Sequence, residues 1–450
     1  MNRILTSIFP SLSQPGRVDR KKIKLLNSLL LHFRPRAVDD RTLCFTLTWG
    51  LGGMAAVLIL LLFCTGVMLK FVYEPSPTRA YESILYLQNN IVFGQVIRNI
   101  HHWSGNILLL VAFLHFLRVF FTGGYTGPRR FNWIIGLGLL CSVLLSAFTG
   151  YLLPWDQLGF WAVIICTTML EYVPVVGNWF KESIQGGPEM GPAILTNFYA
   201  IHTAVMPAIL LFLMSFHFWR VRKAKGLVIL RSPDEGSNTR GDSVSSIPNL
   251  LIREVAVGLA LIAFVLVFSM VFNAPLADKA NPGLSPNPTK APWYFLGIQE
   301  LLMHFHPLFS LVIIPALIGF FLLSIPYLDY QENVSGVWFY SHNGRRIAVF
   351  AAILSVLAAT VFIAVNEFLV DFGTILPGLP DTVSNGLIPF ALCLLVLALF
   401  YVLVKKKYGA SKQEMIQAIF VFALASFVVL TITGIWFRGT GMKLMWPGIG

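Results

Sequence analysis

The sequence is short of charge, of paired cysteines and of polar stretches long enough to fold in water. Only 12% of its 450 residues are Asp, Glu, Lys or Arg, where a soluble globular chain carries about a quarter. That shortage excludes a soluble enzyme as the body of the chain. The five cysteines, Cys44, Cys64, Cys141, Cys166 and Cys393, are scattered and form no CxxC or CxxCH. No iron-sulfur cluster, redox dithiol or ordinary c-type haem attachment is therefore encoded. The first long apolar run starts beyond residue 40 with no small-residue cleavage site at a sensible distance, so no cleavable signal is expected. Also missing are a nucleotide-binding loop, an internal repeat of fixed period, and acidic residues in the first four apolar runs except at their ends.

Hydrophobic residues make up 56% of the chain, with a mean hydropathy of +0.72. Crossing a bilayer as a helix takes about 20 apolar residues. Nine runs qualify, at 43–73, 96–121, 132–152, 195–220, 251–273, 307–327, 347–366, 386–404 and 416–437. The fold class is thus an all-α integral membrane protein. The stretch 156–183, broken by Pro174 and Gly177, reads as interfacial.

Basic residues give the orientation. Arg17, Arg20, Lys21, Lys22, Lys24, Arg34, Arg36 and Arg41 precede the first run, Arg129 and Arg130 follow the second, Arg220, Arg222, Lys223, Lys225 and Arg231 the fourth, and Lys405, Lys406, Lys407 and Lys412 the eighth. These fall on one side. The alternate loops carry Glu74, Glu82, Asp278, Glu367, Asp371 and Asp381 with few cations. A multi-pass protein of the cell's inner (cytoplasmic) membrane is expected, with a cytoplasmic N-terminus and an outside C-terminus. The net charge of +12 then reflects topology and anionic lipid, and nucleic acid is not an expected partner.

The stretch "IRNIHHWSGNILLLVAFLHF" (97–116) holds three histidines, an expensive choice for an apolar helix unless they have a partner or cofactor. His101 and His115 are 14 residues apart, close to four turns, hence on one face about 21 Å apart along the axis. His202 and His217, 15 apart, repeat the pattern in the fourth run. Both runs point inward, so His101 can face His202 near the outside and His115 can face His217 near the inside. Two imidazoles on facing helices are what a bis-histidine haem iron needs. Gly52 and Gly66, and again Gly136 and Gly150, are 14 apart, a spacing that lets the edge of a flat macrocycle approach the backbone. His102 breaks the pairing and reads as a polar neighbour. Arg98, Arg118 and Arg222 lie at span ends, where they either pair with haem propionates or reach headgroups.

At this point the residues resemble a known family. "FGQVIRNIHHWSGN", "LHFLRVFFTGGYTGPRRFNW", "FTGYLLPWDQLGFWAV" and "NFYAIHT…HF" follow in order the cytochrome b of quinol:cytochrome c oxidoreductases, in its shorter chloroplast and cyanobacterial form. From about residue 245 the chain resembles the partner subunit IV, here fused; the likeness extends over roughly 40–370. It implies a cytoplasmic segment 1–42, a diheme four-helix domain 43–223, a cytoplasmic linker 224–250, a subunit IV-like domain 251–370, and two extra spans with an outside tail over 371–450. Five further membrane helices thus follow the four-helix bundle.

The resemblance also implies two non-covalent b haems, His101 and His202 ligating the outer and His115 and His217 the inner. It implies an outer quinol pocket formed by Tyr151 and Asp156 in "GYLLPWDQLGFW" and by Trp293 and Tyr294 in the loop before the sixth run. Implied partners are a Rieske-type or other iron-sulfur protein and c-type cytochrome subunits, with a homodimer inside a complex. Two departures stand out. The family's Pro-Glu-Trp-Tyr loop reads "KAPWYF" here, with Pro292 at the Glu position, which leaves Glu300 or His304 as candidate proton acceptors and suggests menaquinol as substrate. The chloroplast-type covalent haem needs a Cys where Gly50 stands, and Cys44 is six residues too early, so no covalent haem is expected. An inner quinone site is expected beside the inner haem, with Arg222 and Lys223 as candidate contacts. Two other readings remain: a diheme quinone-reactive anchor of another dehydrogenase or multihaem complex without bifurcation, favoured by Pro292 and the extra spans, and a cofactor-free transporter, disfavoured by the matched histidines. The tail "FRGTGMKLMWPGIG" reads as ordered, and Trp446 and Pro447 suit a partner-docking role.

Overall fold

The computed structural model describes residues 37–187, 191–234, 241–330 and 335–446. The N-terminal basic residues up to Arg36, and Pro447, lie outside them. In chain order the helices are α1 (Leu51–Lys70), α2 (Ala80–Asn90), α3 (Gly94–Phe121), α4 (Arg130–Tyr151), α5 (Gln157–Thr168), α6 (Gly177–Gln185), α7 (Pro192–Ala200), α8 (Met206–Lys223), α9 (Ser246–Val271), α10 (Leu296–His304), α11 (Ile314–Ser324), α12 (His342–Phe368), α13 (Phe372–Ile375), α14 (Ile388–Tyr408) and α15 (Lys412–Ile432). Two short strands, β1 (Ala37–Asp39) and β2 (Ser243–Ser245), pair antiparallel. Among the described residues nine helical stretches are long and apolar enough to cross a membrane, matching the nine runs to within a few residues at most ends. The chain is an all-α, multi-pass membrane protein.

Three of the spans share a device that the sequence hides. π-helical turns at Ile201–Val205, Leu308–Ile313 and Thr382–Leu387 each end just before Pro207, Pro315 or Pro389. A proline ring clashes with the carbonyl four residues back and offers no N–H. The helix widens to pass it: Met206 N donates to Ile201 O, Ile314 N to Phe309 O and Ile388 N to Val383 O, each five residues back. π turns of this kind recur at functional sites, and the first contains His202.

The described residues form two compact units. One holds residues up to 154, 198–276 and 324–340; the other holds 155–197, 277–323 and 341 onward. In the first, the end of α9 is fastened to α3 by hydrogen bonds. Asn99 Nδ2 donates to Ser269 O (2.9 Å), Ala274 N to Asn99 Oδ1 (2.9 Å) and Trp103 Nε1 to Phe272 O (2.8 Å). In the second unit α12 and α15 pack through small and polar residues, as membrane helices do: Ser355 Oγ lies 2.6 Å from Phe422 O and 2.8 Å from Ser426 Oγ. A capping box of Ser411 and Glu414 starts α15. The segment expected as a linker over 224–250 is shorter on its C-terminal side, because β2 and the start of α9 occupy 243–250.

Candidate functional site

The second span (α3) and the fourth (α7 through α8) each place two histidines on one face, and the first unit sets those faces opposite each other. The His101 and His202 ring centroids are 6.1 Å apart with planes at 74°, and those of His115 and His217 are 6.5 Å apart at 77°. A metal between two imidazoles, with bonds of about 2 Å to each plus the half-width of each ring, needs a separation of this size.

Hydrogen bonds fix which nitrogen is free. Ser146 O, 2.9 Å from His202 Nδ1, can only accept, so Nδ1 carries the proton and Nε2 keeps its lone pair. Thr65 Oγ1 donates to Leu61 O (2.8 Å) and so accepts from His101 Nδ1 at 2.9 Å, again leaving Nε2 free. Thr149 Oγ1 lies 3.3 Å from His202 Nδ1 in the equivalent place. Metal-binding histidines are oriented by such contacts at the far nitrogen. His115 Nδ1 has no hydrogen-bond partner, and the backbone of Asn132 lies beside His217.

The paired glycines lie against the edges of the four histidines. A Cβ on Gly66 would sit 3.3 Å from His101 Cε1, on Gly52 3.3 Å from His115 Cε1, on Gly136 3.7 Å from His217 Cε1, and on Gly150 only 2.6 Å from His202 Cε1. Each imidazole leans its edge on a bare stretch of α1 or α4. Thr65 and Thr149 are not singled out by the histidine and glycine spacings, yet the dipeptide Thr-Gly occurs twice at the outer level, at 65–66 beside His101 and at 149–150 beside His202. That repeat was the available signal.

The arginines have other attachments. Arg98 donates to Ala274 O (2.8 Å) and Pro275 O (2.6 Å), so it anchors the chain leaving α9. Arg118 is buried and donates to Leu47 O (3.0 Å), with its Nε unsatisfied. Arg222 is half-buried in the last turn of α8. His102 is half-buried against Trp103, with Asn106 Nδ2 3.3 Å from its Nε2. Gly50 is left-handed (φ 66°), and a Cβ there would meet Val257 Cγ1 at 3.1 Å.

Of the residues expected at a quinol pocket, Tyr151 closes α4 in the first unit, whereas Asp156, Trp293, Tyr294 and Glu300 belong to the second. Asp156 caps α5: Oδ1 accepts from Gly159 N (2.9 Å) and Oδ2 from Ala277 N (3.1 Å). Trp293 and Tyr294 form a turn leading into α10, with Trp293 42% exposed. One turn apart on α10, Glu300 and His304 are fully buried and joined by a 3.1 Å contact from Nε2 to Oε1. Arg438, which follows the last span, grips Glu300 at both oxygens (Nε to Oε2 2.9 Å, Nη2 to Oε1 2.7 Å) and Glu367 at 2.8 Å. Burial works to raise the Glu300 carboxyl, but the bonds from His304 and Arg438 outweigh it and hold the carboxyl below its ordinary range. Burial alone would lower the Arg438 guanidinium, and the two carboxylates hold it raised. Sequence reasoning had no means of finding Arg438, 138 residues from Glu300.

Two facing pairs of buried imidazoles, each ring set against a glycine in a membrane bundle, define a membrane-embedded haem-binding bundle. Comparison with known proteins agrees. The family profile described as Cytochrome b/b6/petB matches residues 40–225. Cytochrome b6 of Prochlorococcus marinus (strain NATL1A) is 42% identical over 173 residues, 38% of this chain and 79% of that protein, and cytochrome b6 of Synechococcus sp. (strain CC9605) gives the same figures. A solved structure described as "Hyperthermophilic respiratory Complex III" aligns with a TM-score of 0.59 at 26% identity, over 86% of this chain and 90% of that one. The chain belongs to the cytochrome b/b6 family. It is the electron-transferring cytochrome b subunit of a quinol oxidoreductase complex of the Complex III kind, and family membership implies non-covalent b-type haem.

Proposed function

We propose that this subunit oxidises quinol near the outer face and passes electrons inward along two levels of haem, His101 with His202 outside and His115 with His217 inside. The two cross-helix imidazole pairs carry this reading. Two bound b haems would supply a one-electron path between the faces. The chain's own contribution is to hold four neutral imidazoles with Nε2 presented, to seat them on Gly52, Gly66, Gly136 and Gly150, and to keep water from the bundle. Residues 43–223 form the diheme domain, 251–370 the subunit IV-like part with the quinol loop, and 371–450 the extra spans. No covalent haem is proposed at left-handed Gly50.

At the outer site Trp293 and Tyr294, in the turn that leads into α10, shape a pocket for quinol. Pro292 stands where the related loop carries its Glu, so the substrate proton passes to the Glu300–His304 pair. Menaquinol fits the altered loop. Proton release outside and uptake inside, near Arg222 and Lys223, couple the reaction to the membrane potential. A Rieske-type iron-sulfur protein and a c-type cytochrome take the other electron, and the complex is a homodimer with the subunit's N-terminus in the cytoplasm. The test is a pyridine haemochrome assay with potentiometric titration on the purified complex, before and after acid-acetone extraction. Two extractable b haems per chain at separate potentials are expected; none would end the reading, and a retained haem would overturn the proposal at Gly50.

Pro292 supports a second reading, a diheme quinone-reactive anchor without bifurcation. A pulse of oxidant given to the quinol-reduced complex separates the two. Transient extra reduction of b haem marks bifurcation, and simple oxidation marks the anchor.

A further inference from the structure

The two spans that end the chain have no role legible in the sequence, and in the second unit the last of them is bound to the loop before α10 at several points. Lys290 Nζ donates to Ile435 O (3.0 Å), Gly441 N to Asn287 Oδ1 (2.5 Å), and a Cβ on Gly297 of α10 would lie 2.7 Å from Phe427 of α15. Gln299 closes the loop back onto α10, with Nε2 on Thr289 O (2.7 Å) and Oε1 accepting from Ala291 N (2.8 Å). The turn that carries Trp293 and Tyr294 is thus tied both to α10 and to the last span.

The buried cluster on α10 has a proton count that its geometry decides. His304 Nδ1 lies 2.7 Å from Asn366 Oδ1, an acceptor, so Nδ1 is protonated. Nε2 then faces Glu300 Oε1 at 3.1 Å. Two lone pairs cannot face each other there without cost, so one proton lies between them. Glu300 and Glu367 bring two negative charges and Arg438 one positive; that single proton makes the cluster neutral. The guanidinium engages both Glu300 oxygens from a site with no solvent exposure of its side chain, and a buried charge is tolerable only when so paired. Glu367, 22% exposed, links the cluster to solvent and also accepts from Leu444 N (3.3 Å). Nearby, Lys290 is committed to Ile435 O, and His306 faces Asp381 at 3.7 Å.

We propose that Arg438, delivered by the last span, is the positioning residue of the quinol site: it keeps Glu300 ionised, so that the shared proton resides on His304. This rests on the reading above that the loop before α10 is where quinol reacts. Removing the guanidinium removes a positive charge from a buried site, so the pair binds its proton more tightly and the proton moves to the carboxylate.

The experiment is infrared difference spectroscopy of the purified holo complex, reading the C=O stretch of a protonated carboxyl, with quinol oxidation measured across pH on the same samples. Wild-type protein is expected to lack a Glu300 carboxyl band over the working pH range. R438Q is expected to show one, which disappears in the R438Q/E300Q double variant, and to lose about tenfold in quinol oxidation, the size of effect a misplaced proton-transfer group produces. The rising limb of its pH profile should move to alkaline pH, which a merely structural defect would not do. R438K, which keeps the charge without the two-point grip, is expected to restore the wild-type infrared signature and part of the rate. A Glu300 carboxyl band already present in the wild type, or an R438Q spectrum and pH profile unchanged from the wild type, overturns the proposal. Should R438Q fail to assemble, the wild-type minus E300Q spectrum decides: an ionised carboxylate supports the proposal and a protonated one overturns it. Undiminished quinol oxidation in E300Q would instead remove the pair from the quinol reaction, while the R438Q spectrum would still report whether Arg438 sets the proton's place.

Discussion

The histidine bundle of the first unit and the charged cluster of the second are both buried and polar, yet they are satisfied in opposite ways. In the bundle the ring centroids of facing imidazoles are 6.1 and 6.5 Å apart, and the Nδ1 atoms of His115 and His217 have no hydrogen-bond partner. In the cluster Glu300 takes bonds from His304 and Arg438, His304 reaches Asn366, and Arg438 continues to Glu367 and Met442 O. Buried polar groups that lack protein partners mark a place made for something that binds. A network closed on itself instead holds charge or a proton in place.

The comparison can be broken most severely at the ligands. His202→Leu is expected to eliminate haem at its level and halve the haem per chain, measured by pyridine haemochrome on the purified complex; retention of full haem would show that the pair does not ligate. Next in size is Arg438→Leu, which strands a buried carboxylate and should destabilise the protein by about 3–5 kcal/mol, measured by thermal unfolding in detergent. The same substitution at half-buried Arg222 should have far less effect.

Within the bundle the glycines offer a sharper contrast. Gly150→Ala would place a Cβ 2.6 Å from His202 Cε1, and overpacking of this sort costs about 1–3 kcal/mol. Gly136→Ala, with 3.7 Å of room, should leave the haem spectrum unchanged. Comparing haem retention on dilution tests the pair. Thr65→Val removes the acceptor of His101 Nδ1–H and should weaken haem retention at that level by roughly 10-fold to 100-fold, read by haem transfer to an apo-globin trap.

The smallest effect concerns pH. The Glu300 carboxyl is held below its ordinary range by His304 and Arg438. Its contribution to stability is therefore full above the unfolded carboxylate range and fades as pH falls through the lowered folded value. A melting profile taken from neutral to acid pH should lose less stability in E300Q than in the wild type. A parallel loss in both would assign acid sensitivity elsewhere.

Much of this was legible in the residues. Nine apolar runs became nine spans because hydrophobic length alone dictates a membrane helix. The histidine spacing placed both members of each pair on one helix face, since 14 and 15 residues are close to whole turns. Less legible were details that arise between helices. The bare glycines of α1 and α4 lie against imidazole edges, a contact between helices that spacing along one helix does not specify. Asp156 caps α5 and also accepts from Ala277 N, a bond across 121 residues of chain that no local pattern announces.

Sequence by itself determined the number of crossings, the faces on which His101, His115, His202 and His217 project, and the Thr-Gly pairs beneath two of them. These follow from the backbone's own period, which operates within a single helix. Only the tertiary structure decided that α3 and the span ending in α8 turn those faces toward each other, and that Arg438 reaches Glu300 across 138 residues of chain. Helical periodicity specifies which side of a helix a residue occupies. Which side then meets which is settled by packing, by glycine clearances of a few tenths of an ångström, and by the cost of leaving a buried charge without a partner.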